Sequence, residues 1–328
     1  VVSSPHRGER AGARAASQLQ NMGKASKDKR DIYYRKAKEE GWRARSAFKL
    51  LQIDEAFDLF KDVKHVVDLC AAPGSWSQVL SRQLYLPAVA AGVTGKDLPI
   101  IVSVDLQPIA PLEGVVTIQG DITSLKIIQQ IMGQFDGKGA DMVVSDGAPD
   151  VTGLHDMDEF VQSQLILAGM TVVAHTLRPG GTFVAKIFRG KDIGLLYAQL
   201  KLFFPLVHVA KPKSSRNSSI EAFVVCQNYT PPPDFRPCTL RNILEQRSSV
   251  QTDGEANVWA SRLEMEAVPF VACGDLHGYD ADQSYALEAP ADGSAYVPLE
   301  PVQAPIAPPY KMALDIEKEL NSKSKIRG

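Results

Sequence analysis

Lys186 and Glu221 stand inside apolar strand-like runs, TFVAKIF and SIEAFVV, where a charge must either reach water or meet a partner. Taken singly, each is compatible with a strand-end side chain reaching solvent or with a structural ion pair. Lys49, in SAFKLL, and Asp146, in SDGAPD, enlarge the pair to two cations and two carboxylates, more than one ion pair accounts for. A lysine that is desolvated, or set beside a second cation, can lose its proton near neutral pH, with shifts of roughly 3 to 5 units in the extreme. Such a lysine can act as a base toward a weakly acidic hydroxyl.

Val66 to Gln78, VVDLCAAPGSWSQ, supplies the second chemical feature. It reads as strand, tight turn and helix start. Gly74 lets backbone approach a ligand closely, and the helix start aims unpaired N–H groups at the same place. Neither G-x-G-x-x-G nor G-x-x-x-x-G-K-[ST] is present, so a dinucleotide or a phosphate chain is not the expected ligand. S-adenosylmethionine, with adenine, ribose and a cationic sulfonium but no phosphates, suits such a turn. Its recognition requires carboxylates, and Asp105 in VDLQ is placed for the ribose hydroxyls, Asp121 in QGDIT for the adenine edge, and Asp146 for the sulfonium side. Each aspartate alone is equally compatible with a helix N-cap or a turn. Their recurrence at successive strand ends, with Asp68, favours a shared ligand.

The elements that must position these residues follow from the hydrophobic pattern. Ser26 to Phe60 is basic helical material broken at Gly41 and resumed near Ser46, with Leu50, Leu51, Ile53, Phe57 and Phe60 on its apolar face. Strands are expected at Ile100 to Leu106, Val115 to Gly120, Met142 to Ser145, Thr182 to Phe188, Leu206 to Ala210 and Ile220 to Cys226. Helices are expected at Asp158 to Leu177, stopped by Arg178-Pro179-Gly180-Gly181, and at Leu195 to Phe204. This alternation predicts an α/β, doubly wound and mostly parallel sheet, whose ligands bind beyond the carboxyl ends of the strands. The connection from Arg82 to Ile100 is longer and more apolar than that pattern requires.

Three regions are expected: a disordered prefix over 1–21, a catalytic domain over 22–230 and an irregular extension over 231–328. The prefix is Ser-, Arg- and Ala-rich; a transit-peptide fragment and simple upstream residue both fit it. The extension holds 11 of the 21 prolines, includes a short ordered piece at Val268 to Cys273, and carries Trp259, Phe270, Tyr279, Tyr285 and Tyr310 as possible anchors. The net charge of −2 conceals a strong asymmetry. Met22 to Lys49 carries 10 Lys/Arg against 4 Asp/Glu, and Arg178 to Arg216 carries 8 against 1, whereas 50–177 carries 6 against 16. Two basic segments around an acidic middle suit a protein that grips a nucleic-acid backbone beside an aspartate-lined pocket. Lys27, Lys29, Arg43 and Arg45 are the candidate RNA contacts. Cys70, Cys226, Cys238 and Cys273 show neither C-x-x-C spacing nor His clustering, so no metal is expected and a reducing compartment is indicated. No apolar run approaches the roughly 18 residues a membrane span requires, and no membrane partner is expected.

DLCAAPGSWSQ, VDLQ, QGDIT, SDGAPDVTG, AKIFRG and KPKSSRNSSIEAFVV together resemble the FtsJ (RrmJ-like) 2′-O-ribose RNA methyltransferases, most densely from Ser26 to Tyr229. The resemblance implies a Rossmann-like, seven-stranded sheet with an antiparallel last strand, and S-adenosyl-L-methionine as cofactor with S-adenosyl-L-homocysteine as product. It also implies a Lys-Asp-Lys-Glu tetrad falling on Lys49, Asp146, Lys186 and Glu221, with cofactor contacts at Gly74, Trp76, Asp105, Asp121 and Asp146. In that tetrad Lys186 is the base, its charge state tuned by Lys49 and Asp146, and Glu221 orients the lysines or the ribose.

The start MGKASKDKRDIYYRKAKEEGWRARSAFKLLQ, the phrase DGAPDVTGLHD and the tail pieces VPFVACGDLHGYDADQSY and APIAPPY resemble the eukaryotic cytoplasmic branch, which methylates tRNA anticodon-loop nucleotides 32 and 34. That branch implies separate protein subunits that select the position, and a cytoplasmic location. A ribosomal-RNA methyltransferase of the same family is the nearest alternative. A catalytically silent RNA-binding subunit is disfavoured by the intact tetrad, and a nicotinamide oxidoreductase by the missing glycines.

Overall fold

The computed structural model describes residues 30–149, 155–190, 193–233, 235–240, 268–287, 294 and 296–303; the prefix 1–21, Lys27, Lys29, Trp259 and Tyr310 lie outside the described residues. The basic N-terminal segment forms α1 (Ile32–Glu39), whose first turn is capped by the Asp31 carboxylate accepting the Tyr34 N–H at 3.1 Å, and α2 (Ala47–Phe57), which ends in left-handed Asp58. The break falls around Gly41, as the pattern predicts.

The alternating region folds as β1 (His65–Leu69), α3 (Ser75–Leu80), α4 (Leu86–Ala90), β2 (Ile100–Asp105), β3 (Val115–Gln119), α5 (Leu125–Gly133), β4 (Ala140–Ser145), α6 (His155–Thr176), β5 (Leu177–Phe188), α7 (Ile193–Lys201), β6 (Leu206–Pro212) and β7 (Glu221–Gln227). Two elements differ from the sequence reading. The first half of the long connection after Arg82 is helix, because α3 runs through a π turn at Ser81–Tyr85 into α4, and a 3-10 turn at Gly95–Asp97 follows before β2. Strand β5 begins before Thr182: Arg178-Pro179-Gly180-Gly181 does stop α6, but the Gly180 N–H donates to the Tyr229 carbonyl at 2.8 Å and the Tyr229 N–H to the Gly181 carbonyl at 2.9 Å. Two glycines with no side chains let the chain pair beyond the end of β7.

The sheet has eight strands in the order β3-β2-β1-β4-β5-β7-β6-β8, where β8 is Phe270–Cys273. Strands β1 to β5 pair in parallel and β7 is antiparallel to both its neighbours, as expected for the seven-stranded core. The extension adds the eighth strand, parallel to β6, from the Val268 to Cys273 piece. Residues beyond it clasp α1: the Tyr33 hydroxyl donates to the Tyr279 carbonyl at 3.0 Å, Arg35 donates to the Ala286 carbonyl at 3.0 Å, and Tyr279 meets Tyr285 edge-on at 5.0 Å.

Side-chain alternation divides the sheet into two faces. Val67, Val102, Val143, Phe183, Ala185 and Val224 pack under α5, α6 and α7, while Val66, Ile101, Val144, Val184 and Phe223 pack under α2 and α3. The same parity assigns Lys186, two residues after Val184, and Glu221, two before Phe223, to the α2 face. No helix among the described residues is long and apolar enough to cross a membrane.

Candidate active site

Four charged side chains from four elements converge where β4, β5 and β7 approach α2. Lys49 follows the buried Ala47 and precedes Leu50 and Ile53 on α2, so the packing that seats this helix carries its ammonium to the sheet. Asp146 follows the last residue of β4. Lys186 pairs across the ladder with Phe223, and Phe188 with Glu221, which sets Lys186 and Glu221 diagonally on one face.

The geometry is that of a linked set. Lys49 Nζ donates to Glu221 Oε2 at 2.7 Å and lies 3.9 Å from Asp146 Oδ1. Lys186 Nζ donates to the Asp146 carbonyl at 2.6 Å and lies 3.2 Å from Asp146 Oδ1, close enough to attract it but not aligned for a hydrogen bond. Burial alone would raise the Glu221 carboxyl. The ammonium groups of Lys49 and Lys186, with hydrogen bonds from Lys49 and from Ser215 at 2.5 Å, outweigh that penalty and hold Glu221 at about 2. Lys211 closes the back of the set by donating to the carbonyls of Glu221 at 2.5 Å and Ser219 at 3.0 Å, and burial pulls its ammonium down to about 8. The sequence reading did not single out Ser215 or Lys211. Both lie in KPKSSRNSS, where a second lysine and a serine run ahead of the Glu221 strand.

A cleft beside the set is lined by Asp68 of β1, by Cys70, Ala71, Ala72 and Pro73 of the β1–α3 loop, and by Ser46, Ser75, Trp76 and Asp146. Gly74 adopts φ +98° at the start of α3, which favours glycine, and a Cβ there would stand 2.5 Å from Arg43 Nη1 and displace that side chain. Trp76 is buried, with its indole N–H donating to the Ser46 carbonyl at 2.9 Å and its ring tilted against Phe223 at 5.6 Å. Asp105, the last residue of β2, accepts the Ala72 N–H at 2.9 Å and the Gln107 N–H at 2.7 Å, and its carbonyl accepts the Gly120 N–H. Asp121 therefore sits beside it at the rim, accepting from the Thr123 N–H and hydroxyl at 2.8 Å each in a turn of its own.

The remaining charged residues singled out from the sequence occupy the following places. Asp68, in β1, lies at the floor of the cleft and is buried there, with Oδ2 accepting from Ser77 Oγ at 2.6 Å. Arg43 and Arg45 both use donors within the chain. Arg43 bonds the carbonyls of Pro73, Ala110 and Pro111, and Arg45 pairs with Asp31 and with the Ser214 carbonyl. Lys27 and Lys29 lie outside the described residues.

Burial, with Asp146 and Asp105 adding to it, raises the Asp68 carboxyl from 3.8 to about 7. A carboxyl raised on folding makes the native state favour the protonated form, so stability is greatest below the unfolded value and falls as pH rises through 3.8 toward about 7. Asp68→Asn should abolish this fall: in urea denaturation the variant gains on wild type by a few kcal/mol between pH 4 and pH 8. An unchanged difference across that range would contradict the buried charge.

The fit to an adenosyl sulfonium rests on the residues present. The rim is acidic, and Asp146 Oδ1 is buried without an aligned hydrogen bond, which suits it to face a cation. A family model described as FtsJ-like methyltransferase matches residues 42–229. A Mus musculus protein named tRNA (cytidine(32)/guanosine(34)-2′-O)-methyltransferase is 56% identical over 300 residues, covering 90% of this chain and 87% of its own length. Its namesake in Homo sapiens is 53% identical over 309 residues, covering 93% and 88%. The crystal structure of a Plasmodium falciparum protein described as a ribosomal RNA methyltransferase superposes with a TM-score of 0.51 at 26% identity, covering 58% of this chain and all of that one.

Proposed function

We propose, from the premise that this chain belongs to the FtsJ-like methyltransferase family, that it methylates the ribose 2′-hydroxyls of tRNA anticodon-loop nucleotides 32 and 34. The observation that carries the chemistry is the convergence of Lys49, Asp146, Lys186 and Glu221 beside the glycine-turn cleft. Bound S-adenosylmethionine supplies an electrophilic methyl group on a sulfonium and leaves as S-adenosylhomocysteine. Asp105 and Asp121 would accept its ribose hydroxyls and adenine amine, Gly74 and Trp76 would border it, and Asp146 would face its positive charge. Lys186 would take the hydroxyl proton as the ribose oxygen accepts the methyl group. Lys49 and Glu221 hold Lys186 and Asp146 in register through their own ion pair.

The substrate rests on likeness: the two tRNA enzymes are 56% and 53% identical to this chain and matched over most of their length, against 40% for a Yarrowia lipolytica protein named AdoMet-dependent rRNA methyltransferase SPB1, of which only 27% is matched. The catalytic unit is taken as 22–230, followed by the 231–328 extension. Phosphates would meet the basic segment from Met22 to Lys49 through cations other than Arg43, whose guanidinium is taken up by three carbonyls. Separate subunits would select the nucleotide, and the exposed Met157, Phe160 and Val161 of α6 with Leu195 of α7 offer them an apolar surface. The free state of all four cysteines accords with a cytoplasmic setting.

The direct test transfers labelled methyl from S-adenosylmethionine to total unmodified tRNA, in a lysate that supplies partners, and maps the labelled nucleotide. Label on anticodon-loop riboses is the expected result. Label confined to ribosomal RNA would keep the chemistry and overturn the substrate.

A further inference from the structure

Arg43 stands in the turn between α1 and α2, at the outer edge of the cleft. Its Nη1 donates to the carbonyls of Pro73 and Ala110, each at 2.9 Å, and its Nη2 to the Pro111 carbonyl at 2.9 Å. Its backbone N–H donates to Gln78 Oε1 at 2.9 Å, and the Gln78 amide donates back to the Gly41 carbonyl at 2.8 Å, so the backbone that carries Arg43 is held from behind by α3. Pro73 belongs to the loop after β1, and Ala110 and Pro111 to the loop after β2. These two loops bracket the rim where Ala72 meets Asp105. The close seat over Gly74, where a Cβ would be 2.5 Å from Nη1, shows that the backbone is shaped to admit the guanidinium; Ile109 and Leu112 close the same spot from the second loop.

We infer that Arg43 is a positioning residue for the cofactor: a planar donor that ties the β1–α3 loop to the β2–β3 loop and so sets the width of the S-adenosylmethionine cleft. The inference rests on the proposed reading of that cleft. A planar fork reaching three carbonyls across two loops is a task a lysine cannot perform, since its ammonium is a single point of donation. A phosphate contact, by contrast, tolerates lysine because charge is what it requires.

Arg43→Met and Arg43→Lys separate the two roles. Calorimetric titration of the full chain with S-adenosylmethionine should give a Kd raised about tenfold or more in both variants, since each loses bridging hydrogen bonds to the loops. Binding of tRNA, and its salt dependence, should stay as in wild type, and in turnover the KM for the cofactor should rise while that for tRNA does not. Amide exchange of 106–112 should quicken in both variants. Should Arg43→Met fold poorly, Arg43→Lys with its charge intact carries the comparison. Weakened tRNA binding in Arg43→Met, restored in Arg43→Lys, with cofactor affinity unchanged, would make Arg43 a phosphate contact and overturn the inference. Failure of the wild type to bind S-adenosylmethionine would instead overturn the reading of the cleft, and the inference with it.

Discussion

Lys186→Ala is expected to lower single-turnover methyl transfer to tRNA by about a thousandfold, the middle of the range for losing a positioned general base, while binding of cofactor and tRNA is retained. Lys186 Nζ already sits 2.6 Å from the Asp146 carbonyl and 3.2 Å from its carboxylate, at the edge of the cleft. Lys49 is not a ready substitute, because its ammonium is engaged by Glu221 at 2.7 Å. Lys186→Arg sharpens the test. Arginine keeps the positive charge but stays protonated, so it cannot accept the hydroxyl proton. Both variants should therefore be inactive if Lys186 is the base. Substantial turnover by Lys186→Arg would assign this position an electrostatic role and move proton transfer elsewhere.

Glu221→Gln is expected to destabilise the fold at pH 7 and to slow catalysis together. The sign follows from the direction of the shift: a carboxyl lowered on folding from 4.5 to about 2 contributes stability that is full above 4.5 and is lost as pH falls toward 2. Its size is about 3 kcal/mol, taking roughly 1.4 kcal/mol per unit. Urea denaturation should show the variant weaker than wild type by that order at pH 7, with the two converging as pH falls through 4.5 to 2. Equal stability at pH 7 would show that Lys49 and Lys186 do not hold the carboxylate as the geometry implies. The rate effect follows from the freed Lys49. Asp146 Oδ1 is its next anion, 3.9 Å away, and that is the carboxylate Lys186 also uses at 3.2 Å. Competition for one carboxylate should cost turnover tenfold or more, because the members of such a network act together. A normal rate with Lys49 displaced would remove Glu221 from the positioning role.

Much of this protein was legible in order along the chain. Hydrophobic runs marked the strands, Gly74 and the recurring aspartates marked the rim, and two charges within apolar strands marked Lys186 and Glu221, because period-two alternation and the cost of burying charge are local facts. Lys49 and Asp146 were candidates to complete that pair, and motif similarity joined the four into one tetrad. What the chain did not disclose depends on contacts between distant segments. That Arg43 serves the cofactor loops was hidden, since its partners at Pro73, Ala110 and Pro111 are carbonyls, which every residue carries and no side-chain pattern reveals. Asp68 looked like its neighbours at the strand ends until packing buried it. The proline-rich extension gave a short apolar run, but its place beside β6 follows from strand pairing. Above all, sequence determined which four charges could form a site, whereas only the pairing of β5 with β7 and the seating of α2 decided that they meet within hydrogen-bonding and ion-pair distance, because register and helix packing are properties of the assembled sheet.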